Sequence, residues 1–121
     1  MKVPGPDHPI TITPNAKRVR VTFGGKVIAD TTRALSLKEA SYPTVQYIPR
    51  EDAAMDMLVR TEHATHCPYK GDAAYFTVVA NGRRAENAVW TYEDTFPAVG
   101  QIAGYLAFYP NRVDAIEELP K

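Results

Sequence analysis

Arg18-Val19-Arg20-Val21-Thr22-Phe23-Gly24-Gly25-Lys26-Val27-Ile28-Ala29-Asp30 is the stretch that decides the fold class. Val19, Val21 and Phe23 alternate with Arg18, Arg20 and Thr22, the two-residue period of a strand with one buried face. Gly24-Gly25 supplies the positive φ angles of a tight hairpin, so 26–30 is expected to return beside it. Asn81-Gly82 repeats the signal, joining 73–80 to a partner over about 85–92. In that partner Ala88, Trp90 and Tyr92 are expected on one face, Val89 and Thr91 on the other. Leu35 and Leu37 alternate with Ser36 and Lys38, and 44–48 and 105–109 read as further short strands. Pro49-Arg50-Glu51-Asp52 reads as a helix start and 97–101 as one helical turn. The expected fold is mainly β: a compact single-domain sandwich or rolled barrel with one or two short helices.

At 121 residues the chain is long enough for one core without staples. Pro4, Pro6 and Pro9 withhold backbone donors, so 1–17 is expected as an extended arm, 18–116 as the β-rich domain and 117–121 as a tail. Fourteen acids balance fourteen bases, which argues against nucleic acid as a partner, because binding it relies on uncompensated Lys and Arg. A single cysteine excludes an intrachain disulfide and a four-thiolate zinc site, and a reduced thiol suits the cytoplasm. Met1-Lys2-Val3-Pro4-Gly5-Pro6 lacks the apolar core of a signal peptide. No apolar run approaches the roughly 20 residues that span a bilayer. The expectation is a soluble cytoplasmic protein that does not enter membranes.

Reactive and ion-binding groups concentrate in His66-Cys67-Pro68-Tyr69-Lys70-Gly71, with Tyr75 just beyond. Lys70 follows Cys67 by three residues and would favour its thiolate, making Cys67 a candidate nucleophile and Lys70 its catalytic partner. His66 is a poor base for that thiol, since neighbours on an extended chain point to opposite faces, and His63 or Glu86 would have to serve. Against this, a lone cysteine is more often a small buried hydrophobe. Arg50 and Lys70, with the unobstructed amide of Gly71, could instead hold a carboxylate or phosphate. The plain alternative pairs Arg50 with Glu51 or Asp52, and Lys70 with Asp72, on a solvated surface. His63-x-x-His66 has ligand-like spacing on a helix, with Cys67 as a third donor, but falls short of a metal set. No metal or cofactor is expected. Tyr47, Tyr69, Tyr75, Trp90 and Tyr92 could wall a pocket for a planar ligand, although such residues more often belong to a core.

Three motifs carry a family resemblance: Tyr47-Ile48-Pro49-Arg50-Glu51-Asp52, Thr65-His66-Cys67-Pro68-Tyr69-Lys70-Gly71-Asp72-Ala73 and Glu86-Asn87-Ala88-Val89-Trp90-Thr91-Tyr92. With Gly104 and Phe108-Tyr109 they make the chain resemble the bacterial and fungal domain-of-unknown-function family numbered 427, over about 19–113. Val89 stands where relatives often carry alanine. The resemblance implies a small, largely β domain, with a tent-like fold as one form, and no established activity. Tent-like folds often carry four-cysteine zinc, which this chain cannot supply. Nothing here resembles the Gly-Ser plus paired-carboxylate signature of a nucleotidyltransferase.

The leading expectation is a binding module for a small anionic molecule. Arg50, Lys70 and His66 would meet it at one cavity lined by Tyr47, Tyr75 and Trp90. The alternatives are a Cys67-dependent enzyme and a structural domain that pairs into a homodimer through an edge strand near Arg18 and Arg20.

Overall fold

Two hairpins turned by left-handed residue pairs organise the chain, whose computed structural model describes residues 1–121. Gly24 and Gly25 have φ of 61° and 75°, Asn81 and Gly82 have φ of 50° and 75°, as primed hairpin turns require. The two tips meet: a Cβ on Gly24 would lie 2.8 Å from the Ala80 carbonyl oxygen, and Asn81 Nδ2 donates to the Gly24 carbonyl.

The strands are β1 (Ile10–Pro14), β2 (Arg18–Phe23), β3 (Lys26–Thr31), β4 (Leu35–Glu39), β5 (Val45–Tyr47), β6 (Leu58–Cys67), β7 (Gly71–Ala80), β8 (Arg83–Thr95), β9 (Leu106–Phe108) and β10 (Ala115–Leu119). They form three antiparallel sheets in the orders β1-β4-β5, β10-β2-β3 and β6-β7-β8-β9. Ile48 and Leu106 exchange two backbone hydrogen bonds of 2.8 Å, which ties the first sheet to the third without closing a barrel. The mainly β expectation holds, in its open rather than its barrel form. The helical segments are single 3-10 turns at Arg50–Asp52 and Met55–Met57 and a kinked pair over Pro97–Ile102.

Burial follows alternation where a strand has one buried face. In β2 Val19, Val21 and Phe23 are buried while Arg18, Arg20 and Thr22 are half-buried. These valines join a cluster of 17 buried residues, largely aliphatic, with Ile28, Ile48, Phe76, Val78, Val89 and Leu106. A second cluster of eight holds Leu37, Ala73, Val99, Ile102 and Ala107 together with three tyrosines, Tyr47, Tyr75 and Tyr92. One expectation about faces fails. Ala88 packs with Val89 in the larger cluster, whereas Trp90 and Tyr92 belong with the smaller. Asn87, at φ 48°, lies where the β7–β8 register shifts, and that bulge resets the alternation.

Two boundaries also move. Regular structure begins at Ile10, because Ile10 and Ile12 pack against the smaller cluster while β1 pairs with β4. The expected arm therefore ends earlier, and its first nine residues dock on the domain: Lys2 N–H donates to the Pro68 carbonyl at 2.7 Å. The expected tail is likewise β10, where Glu117, Glu118 and Leu119 pair with Arg20, Val19 and Arg18. No helix is long and apolar enough to cross a membrane.

Candidate functional site

Strand β6 ends at Cys67, Pro68-Tyr69-Lys70 turns, and Gly71 opens β7. Gly71 has φ 119°, and a Cβ there would lie 2.9 Å from the Asp94 carbonyl oxygen. Only glycine lets the turn approach the end of β8 this closely. The Phe96 N–H then donates to the Lys70 carbonyl at 3.0 Å, and Lys70 is left only 8% exposed. Its ammonium pairs with Glu39 at the end of β4. The other Glu39 oxygen faces His8 Nε2 at 2.8 Å, and the His8 ring stacks on Tyr69 with centroids 3.9 Å apart. Burial alone would push the Glu39 carboxyl up, but the hydrogen bonds and charges of Lys70 and His8 outweigh it and hold it below the ordinary range.

Lys70 and Glu39 line a cleft of about 230 Å³ whose walls are aromatic. Tyr47, Tyr75, Trp90 and Tyr92 all contribute, with Tyr109 and the exposed Tyr42. Trp90 Nε1–H donates to the Tyr47 hydroxyl at 3.3 Å, so the Tyr47 proton itself is not used by the protein. The Tyr75 hydroxyl is engaged, at 3.0 Å from Thr65 Oγ1 and 3.3 Å from the Tyr109 hydroxyl. Tyr92 is 7% exposed and its hydroxyl has no hydrogen-bond partner in the protein. No fully buried side-chain polar atom lacks a partner, so that hydroxyl reaches the open space of the cleft. Burial pushes Tyr47 and Tyr92 well above the ordinary phenol range, Tyr47 despite the bond from Trp90, and Tyr92 with further help from Tyr47. Both therefore keep their protons, as donors, at neutral pH.

The residues singled out from the sequence separate into two groups. Lys70, Tyr47, Tyr75 and Trp90 meet at the cleft. Arg50 does not line it. Its guanidinium donates to the Gly104 carbonyl at 2.8 Å and to Glu93 at 2.9 Å, and lies 5.6 Å from the Phe76 ring centroid. Neither expected partner of Arg50, Glu51 or Asp52, holds it; both bind Arg33. His66 is exposed and binds Asp72 at 2.6 Å, outside the cleft. Cys67, on the other strand face, is half-buried against the smaller cluster, and its sulfur makes no hydrogen bond. Lys70, the expected cation, is committed to Glu39, and of the two bases expected for the thiol His63 packs on Tyr75 while Glu86 binds Thr77 and Arg84. His63 lies over the Tyr75 ring at 4.5 Å, and β6 is a strand, so the helical spacing that would bring His63 and His66 together does not arise. No three His, Cys, Asp or Glu side chains gather as a metal site.

Glu39, His8 and Tyr109 also build the site, and sequence reasoning gave them no role there. A signal existed for Glu39: it continues the Leu35, Leu37 face of an alternating strand, where an acid needs a buried partner.

The arrangement suits recognition. It presents an ammonium with hydrogen-bond capacity beyond Glu39, two phenol donors and flat apolar walls, while both oxygens of its one carboxylate are already engaged. No curated protein matches the chain. A family model does match, over residues 11–119, and the chain belongs to that family, described as a domain of unknown function (DUF427).

Proposed function

We propose that the protein binds a small planar monoanion, with its carboxylate or equivalent oxygens at Lys70, Tyr47 and Tyr92 and its ring against Trp90 and Tyr109. The observation that carries this reading is the convergence of three donors on one aromatic-walled cleft whose single carboxylate already has both oxygens hydrogen-bonded. Glu39 does not repel such a ligand strongly, because the Lys70 ammonium paired with it balances its charge. A charge-assisted hydrogen bond contributes about 1.5–3 kcal/mol, so three donors suffice for a small ligand. Arg50 takes no part, which replaces a bidentate arginine grip with a single ammonium and two hydroxyls. Catalysis by Cys67 finds no support in its surroundings, and recognition is the function we assign to the cleft.

Calorimetric titration with benzoate, benzamide and benzylamine tests the reading. Benzoate is expected to bind tightest, benzamide more weakly and benzylamine not measurably. Tyr92→Phe is expected to weaken benzoate about tenfold or more. Equal binding of benzylamine and benzoate, or an unchanged Tyr92→Phe variant, would overturn it.

A further inference from the structure

Behind Trp90 lies a second, larger hollow of about 570 Å³. It shares Tyr42, Pro43, Val45, Trp90 and Tyr109 with the cleft, so the two cavities are separated only by these side chains. Its remaining wall is apolar where Ile48, Phe108 and Ile116 contribute from or against the larger core. Ligand sites run to about 300–1,000 Å³. The cleft alone falls below that range and the groove within it.

The part of the groove that the cleft does not share carries three polar side chains, Thr44 beside the shared Pro43 and Val45, and Gln46 and Glu118 beyond them. Gln46 Oε1 accepts from Asn15 Nδ2 at 3.0 Å and from Ser36 Oγ at 2.9 Å. Asn15 is held in turn by the Lys17 N–H at 2.8 Å and by Glu118 Oε1 at 2.7 Å. This network orients the Gln46 amide so that its NH₂ has no acceptor in the protein, and it leaves Glu118 Oε2 equally unpartnered. An apolar trough thus runs from the shared aromatic wall to a polar end with unused hydrogen-bonding capacity.

We infer that cleft and groove are one bipartite site, and that the ligand is an aromatic carboxylate with an aliphatic extension lying in the groove past Trp90. The inference rests on the head-group reading above and names its ligand class. Burying methylenes along Ile48, Phe108 and Ile116 supplies binding that the small cleft cannot. The gain ends where the tail reaches Gln46 and Glu118, since hydrocarbon there would cover polar groups that need partners.

Affinities of benzoate and its 4-butyl, 4-hexyl and 4-octyl derivatives, measured as monomers by calorimetry, test the inference on the unaltered protein. Affinity is expected to rise about three- to fourfold per methylene and then level off. Ile116→Trp, which fills the groove, should remove the advantage of 4-hexylbenzoate over benzoate. If benzoate binds and the alkyl members bind no tighter, the bipartite site is wrong while the head-group reading stands. If 4-hexylbenzylamine binds as tightly as 4-hexylbenzoate, the carboxylate does nothing, and both readings fall. Absence of binding across the series removes both as well.

Discussion

The two buried clusters of this small domain are built from different chemistry. The larger, between the β10-β2-β3 sheet and the faces of β7 and β8, is hydrocarbon with few heteroatoms. The smaller collects three tyrosines and abuts Trp90, Tyr109 and the Lys70–Glu39 pair. The first fills its space. The second leaves a cleft with a free phenol donor inside it, which close packing for stability alone would not produce. The packed core and the proposed recognition site thus lie on opposite sides of the same strands, and each side predicts its own response to substitution.

The largest effect is expected in the aliphatic cluster. Ile28 is fully buried there, and Ile28→Ala should cost about 2–5 kcal/mol in denaturant unfolding without altering benzoate affinity of the folded protein. Lys70→Met comes next. The pair is 10% and 13% exposed, between the about 1 kcal/mol of a surface pair and the about 3–5 kcal/mol lost when a buried one is broken. Glu39 has a lowered carboxyl, so its contribution is present above the ordinary value of 4.5 and is lost as pH falls through the folded value. The acid limb of a stability–pH curve should therefore flatten in Lys70→Met. At the alkaline end the sign reverses. Burial and the Tyr75 hydroxyl push Tyr109 up to about 12, so its contribution is full below 10.0 and is lost as pH rises through about 12. Phenolate absorbance should show this group, with Tyr47 and Tyr92, un-ionised past the ordinary phenol range while the chain stays folded. The smallest change in stability belongs to Tyr92→Phe, within about 0.5 kcal/mol, because the hydroxyl removed has no partner in the protein. If that variant unfolds as readily as Ile28→Ala, the division between the two clusters is wrong.

Much of the first region was legible in the sequence and much of the second was not. Hairpins at Gly24-Gly25 and Asn81-Gly82 follow from turn chemistry, and β2 from strict alternation. Strand β6 escaped because it is an edge strand, exposed over most of its length, and held by pairing with β7 instead of by burial. Strand β1 alternates Ile10 and Ile12 with Thr11 and Thr13, but it follows directly on Pro4, Pro6 and Pro9, which make the segment look like a continuation of the arm. Of the residues that motif proximity gathered, Lys70, Tyr47, Tyr75 and Trp90 line one cleft. It also drew in Arg50, only three residues from Tyr47, yet the 3-10 turn at Arg50–Asp52 carries that side chain toward Gly104 and Glu93. Glu39 and His8 lie 31 residues apart and meet only through the β1–β4 pairing, which no local pattern specifies.

The most direct test uses the single tryptophan, whose indole N–H donates to Tyr47 at the mouth of the three donors. In a nitrogen-15 NMR titration, benzoate should move the Trp90 indole resonance saturably, and Tyr92→Phe should weaken that response. An indole resonance that stays still with benzoate, or moves equally with benzylamine, would mean that the cleft does not recognise a planar anion.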